Sequence, residues 1–131
     1  MLLCLPLCAV VLSACGSATS TAAFKGEQHA AAQTIANLQA DATAAEEKKI
    51  CGDDLAAPVV ERLGGTKGCE KAIKSQVAEI DTLEVSVQSV QLGARDETAV
   101  AHVKSTFAGK SRTSTVSLVK EGNDWKVSAF Q

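Results

Sequence analysis

The sequence predicts an α+β fold, with helices first and a curved four-stranded antiparallel sheet after them. Two observations carry that prediction. Apolar residues recur at steps of three and four up to about Asp81 and at steps of two beyond it, which is the change from a helical to a strand period. The second half is also cut by short turn signals at residues 93–97, at Gly109-Lys110 and at residues 121–124. Consecutive strands with short turns make a meander, and helices grouped before it make the domain α+β.

From about residue 26 to residue 49, Ala31, Ile35, Leu38, Ala42 and Ala45 form one stripe of a helix. Glu46, Glu47, Lys48 and Lys49 belong to its solvated face. The stretch CGDDLAAPVVERLGG, residues 51 to 65, reads as a break followed by a short helix. Pro58 is tolerated only in a first turn, and Gly64-Gly65 ends the helix. A third helix carries Cys69, Ile73, Val77 and Ile80 on one side. In the first strand Leu83, Val85 and Val87 alternate with polar neighbours, whereas Val90 and Leu92 continue on the opposite parity. That slip predicts a β-bulge near Gln88 or Ser89, which bends the strand. Ala99, Ala101, Val103 and Phe107 share one side of the second strand. Val116 and Leu118 point inward from the third, and Trp125, Val127 and Ala129 from the fourth.

Composition narrows the functional classes. The chain has 131 residues, room for one domain, and a formal net charge of −2 with 13 basic and 15 acidic side chains interspersed. It has no basic stripe of the kind nucleic-acid binding needs. Its aromatic residues are Phe24, Phe107, Trp125 and Phe130, with no Tyr, too few for the stacking platforms of single-strand binders. No nucleic-acid partner is expected.

Residues 1–14, MLLCLPLCAVVLSA, are uncharged and almost wholly apolar. The run is shorter than the roughly 20 residues of a spanning helix, and it matches the hydrophobic region of an export signal. A positively charged segment should precede that region; only Met1 and Leu2 do, so a start further upstream is expected. Leu12-Ser13-Ala14-Cys15 then resembles the lipobox of bacterial lipoproteins, an aliphatic residue and two small residues before Cys. The resemblance implies a diacylglyceryl group on Cys15, cleavage just before it, and a membrane partner held through that lipid. Two or more acyl chains give a stable anchor where one does not. Residues 15–25, rich in Gly, Ser, Thr and Ala, would form a flexible tether, leaving residues 26–131 as the domain. Cys4 and Cys8 fall in the discarded segment.

Only Cys51 and Cys69 then remain in the domain. An even pair in an exported chain reads as a disulfide, because that compartment is oxidising. Closing the loop between them would stabilise the fold by about 3 kcal/mol. Two alternatives stand beside it. A zinc site would have to recruit His29 or His102, without CxxC spacing to support it. A catalytic thiol would need a partner base. No cofactor and no metal are expected.

Three helices, a Cys pair across the last two and a bent meander ending GNDWKVSAF resemble the nuclear transport factor 2-like fold. More narrowly, Cys51, Leu55, Pro58, Gly64-Gly65 and Cys69, with Glu121-Gly122 and Trp125-Lys126-Val127, are similar to small actinobacterial lipoproteins of that superfamily. The resemblance implies a cone with a pocket between sheet and helices. Some members are isomerases or cyclases, and many bind ligands or proteins. The isomerase mechanism uses an Asp base with an oxyanion hole of Tyr and protonated Asp. This chain lacks Tyr, and its strands carry no Asp pair.

The expected function is therefore that of a lipid-anchored, non-enzymatic binding module on the outer face of the cytoplasmic membrane, taking a small apolar ligand or an envelope protein. The alternatives are a small isomerase or hydrolase using the pocket, and an interaction module forming a homodimer through its sheet. Two residues are candidates for the pocket. His102, mid-strand on the side of Val100 and Lys104, reads first as a half-exposed sheet histidine and second as a pocket acid/base, a role imidazole side chains often fill. Trp125 reads first as core, with its indole N–H meeting a carbonyl, and second as pocket lining.

Overall fold

The computed structural model describes residues 19–78, 83–107 and 109–131. The apolar leader, Cys15 and Ile80 lie outside the described residues. Helix α1 spans Gly26–Thr43 and the three-residue α2 spans Glu47–Lys49, running directly into a π-helical turn at Ile50–Asp54. Helix α3 follows at Ala57–Arg62 and α4 at Gly65–Val77. The strands are β1 (Leu83–Leu92), β2 (Thr98–Phe107), β3 (Lys110–Glu121) and β4 (Asp124–Phe130), in sheet order β1-β2-β3-β4 with every neighbour antiparallel.

The helical stripe is present, but it stops earlier than the sequence pattern indicated. Ala31, Ile35 and Ala42 are buried and Leu38 is half-buried, whereas Ala45 is exposed with φ at 54°. A left-handed alanine cannot continue a right-handed helix, so the chain breaks at Ala45 and restarts at Glu47. Pro58 is the second residue of α3, where its missing N–H leaves no bond unmade. Gly64, at φ 100°, closes that helix. The next turn is tight: a Cβ on Gly68 would collide with the carbonyl oxygen of Leu63.

The predicted bulge is where the parity slips, between Val87 and Ser89 in the β1–β2 register. A second register shift lies between Ser117 and Leu118 on the β3 side: Leu118 pairs with Val127, and Ser117 with Ala129. Ser128 is thus an extra residue in β4. This corrects the reading of the last strand, because Phe130 pairs with Val116 on the inner face and Ala129 is turned to the other side. Phe107 keeps the side of Ala101 and Val103 in β2, as the alternation indicated, and is 45% exposed.

One core joins the two layers. Ile50, Leu118, Val127 and Cys69 are its largest fully buried side chains, packed with Ile35, Leu55, Val87, Val103 and Trp125. Burying each Leu, Ile or Val contributes about 1.5–3 kcal/mol. The Cys51–Cys69 disulfide, with Cα atoms 6.0 Å apart, pins the π-turn to α4. Neither thiol is left for zinc or nucleophilic chemistry. The π-turn is also fastened to the sheet, since Leu55 bridges Val127 and Ala56 N–H donates to the Val127 carbonyl at 2.8 Å. Part of the expected tether is packed as well. Phe24 lies against the core, the Thr21 hydroxyl donates to Gln33 Oε1, and His29 Nδ1 is 3.1 Å from the Thr21 carbonyl.

Candidate functional site

Two concavities flank α1, and they differ in chemistry. The first lies between α1 and the inner face of the sheet and has a volume of about 200 Å³. Ile35, Leu38 and Ala42 line it from the helix, Val85, Val103 and Val116 from the strands, with Phe130 at the end of β4. Its polar lining is limited to Gln39, Ser105 and Ser114, and no charged side chain takes part. Such a space excludes ions by desolvation and accepts uncharged apolar groups. Phe130 reaches it only because of the extra residue at Ser128, and 59% of Phe130 remains exposed. Thr19 stands at the rim, its hydroxyl within reach of Gln39 Oε1 (2.6 Å) and of the Val85 carbonyl (3.0 Å). The N-terminal segment therefore meets the domain beside this pocket.

The second concavity is a polar cleft of about 470 Å³. One wall is α1, through His29, Gln33, Thr34 and Asn37; the others are Asp53 and Asp54 of the π-turn and residues 123–126. Asp54 is the unusual group in it. It is 3% exposed, and its Oδ2 has no hydrogen-bond partner among the described residues. Burial, a hydrogen bond to the Asp41 carboxyl, and the negative charges of Asp41 and Asp53 push its pKa up to about 8, against a smaller downward pull from Lys126. Burial thus favours the protonated form of Asp54. The Lys126 ammonium donates to the carbonyls of Asp53 (2.5 Å) and Gly52 (3.4 Å), so the π-turn's own acceptors are already served by a cation from β4.

Trp125 borders this cleft and is 4% exposed. Its Nε1–H donates to Glu27 Oε2 at 2.8 Å, so the indole partner is a carboxylate and not the expected carbonyl. Lys120 Nζ donates to Glu27 Oε1 at 2.9 Å and lies 5.8 Å from the centre of the indole ring, within cation–π range. The Lys120 hydrogen bond first, and the indole second, hold the Glu27 carboxyl below the usual carboxylate range. Thr34 adds a contact from α1 to the Trp125 carbonyl at 3.2 Å. Trp125 is thereby a core residue whose polar edge ties the start of α1 to the β3–β4 hairpin.

His102 lines neither of these concavities. It is exposed on the outer face of the sheet, opposite Thr115, whose hydroxyl lies 3.5 Å from His102 Nδ1. Alternation forces that placement, because Ala101 and Val103 on either side are buried against the helices. Among the described residues, Val100 is the one large apolar side chain exposed on that outer face, at 39%, amid His102, Lys104, Ser89 and Thr115. Cys51 and Cys69 are brought together as expected. Asp54, Asp41 and Glu27 are the site residues that sequence reasoning missed. The Asp53-Asp54 pair has the composition of a solvated turn, and nothing local to it signals burial. No group of three or more His, Cys, Asp or Glu side chains converges as a metal site among the described residues.

No protein-family model matches the chain, and no curated protein sequence does. Among solved structures, a variant of the designed NTF2-like protein Rd1NTF2_05 is similar, with a TM-score of 0.52 at 12% identity. The match covers 76% of this chain and 92% of that one. The fold is NTF2-like: helices over a four-stranded antiparallel sheet, with a pocket between them.

Proposed function

We propose that this chain is an exported lipoprotein, anchored through Cys15 to the outer face of the cytoplasmic membrane. Its domain is a binding module, not an enzyme, that takes a small, uncharged apolar ligand between α1 and the sheet. The observation that carries the reading is the lining of the 200 Å³ pocket, seven apolar side chains with no charged one. A cavity of this kind retains its empty space only at a cost in lost contacts, which an apolar ligand restores. The disulfide fits an oxidising, extracytoplasmic compartment. Thr19 at the pocket rim fits a domain hung from a lipidated residue just upstream.

Two measurements test the two halves of this reading. Intact mass of the protein purified from its own cells should show a chain beginning at Cys15 and carrying acyl groups; an unmodified thiol there refutes the anchor. For the pocket, 1-octanol titrated into the full chain should give saturable NMR shifts at Val103 and Val116. Ala42→Phe, which places a ring in the pocket, should weaken that binding at least tenfold. Equal octanol binding by both proteins refutes the pocket as the binding site.

A further inference from the structure

We propose that the polar cleft between α1, the π-turn and β4 is a binding site for a small organic cation, a primary amine whose ammonium group donates to Asp54. The cleft is separate from the apolar pocket and shares none of its lining residues. Its volume of about 470 Å³ falls within the range of small-molecule sites, about 300–1,000 Å³. The deciding feature is the Asp54 carboxyl. It lines the cleft, is 3% exposed, and its Oδ2 has no hydrogen-bond partner among the described residues. A buried acceptor left unmet costs free energy, and a donor brought by a ligand recovers it.

The hydrogen bonds already made around the cleft decide the chemistry of that ligand. The main side-chain donors are committed within the protein. The Lys126 ammonium donates to the Gly52 and Asp53 carbonyls, the Thr34 hydroxyl to the Ala30 and Trp125 carbonyls, and Gln33 Nε2 to Asn37 Oδ1. His29 Nδ1 faces the Thr21 carbonyl, so it carries the proton there and leaves Nε2 of the neutral ring an acceptor. What remains is rich in acceptors and negative: the carboxyls of Asp53, Asp54 and Asp124 stand against the ammonium of Lys126. That balance repels an anion. A neutral polyol brings donors but no charge to offset the burial of a carboxylate. A metal ion needs a converging set of ligands, and no group of three or more His, Cys, Asp or Glu side chains offers one among the described residues. An ammonium needs only single acceptors for its N–H groups, and the π-turn already receives one from Lys126 in this way. Burial favours a proton on Asp54 in the free protein, and an ammonium beside it takes that proton's place, the proton leaving to solvent.

The test is a titration of the full-length oxidised protein at neutral pH with 1,4-diaminobutane, and with 1,4-butanediol as the uncharged control of equal length. At millimolar concentration the diamine should give saturable NMR shifts at the Asn37, Asp54 and Trp125 amides, and the diol should not. Asp54→Asn keeps the size of the side chain and removes its charge, and should weaken diamine binding at least tenfold. Asp124→Asn, at an exposed position of the cleft, should weaken it about twofold to threefold. Glu84→Gln, outside the cleft, should leave it unchanged. The absence of saturable shifts with the diamine overturns the proposal. So do equal binding of the diol, shifts that map outside the cleft, or undiminished binding by Asp54→Asn. Should that variant not fold, undiminished binding by the double variant Asp53→Asn, Asp124→Asn overturns it instead.

Discussion

Replacing both Cys51 and Cys69 by Ala isolates the contribution of the disulfide to this small core. The bridge spans 18 residues, and in the chain-entropy account a loop of that size restrains the unfolded ensemble by about 3 kcal/mol at 25 °C. Both sulfurs are buried, so the Ala pair also loses packing around Ile50 and α4, and the loss should equal or exceed that figure. At roughly 4–8 °C per kcal/mol for a domain near this size, the melting temperature should fall by about 12–24 °C. Urea unfolding at constant pH, followed through the single Trp125, measures the change. Its slope supplies a second check. Without the crosslink the unfolded chain expands and exposes more surface, so the m-value should rise. A loss below about 1 kcal/mol with an unchanged slope would refute the claim that the bridge acts on the unfolded chain.

Two further predictions test the helical layer. Gly68→Ala drives a methyl group into the Leu63 carbonyl and should cost about 1–3 kcal/mol. Gly52→Ala, which meets nothing within 4 Å, should change urea stability by less than about 0.5 kcal/mol. Glu27→Gln removes the charge shared by Lys120 and the Trp125 indole and should shift Trp125 emission at neutral pH. In the wild type the same shift should appear on acidification, as pH falls through the lowered pKa of Glu27. Unchanged emission in Glu27→Gln would show that the indole finds no specific partner there.

Periodicity made most of the architecture readable. The bulge at Gln88 was legible because Val87 and Val90 sit on opposite parities and both must face the core. The outward placement of His102 was legible for the same reason, since Ala101 and Val103 fix the face of β2. The second bulge was not legible. Ala129 is apolar enough to continue the alternation from Trp125 and Val127, and only pairing with Val116 and Ser117 shows that Phe130 takes the inner position. The end of α1 was likewise hidden, because Ala45 is a good helix former whose positive φ is imposed by the turn into α2.

By itself the sequence determined the order of helices and strands, the cysteine pairing and the faces of the central strands. Those properties depend on residues a few positions apart or, for the cysteines, on there being two of them in the domain. Only the tertiary structure decided that Glu27 would be shared by residues 93 and 98 positions away and that Asp54 would be buried. It also decided that the apolar pocket would close on Phe130. Each of these depends on which surfaces meet when α1 crosses the sheet. Burial and the electric field of distant charges are properties of that meeting, so no local pattern encodes them.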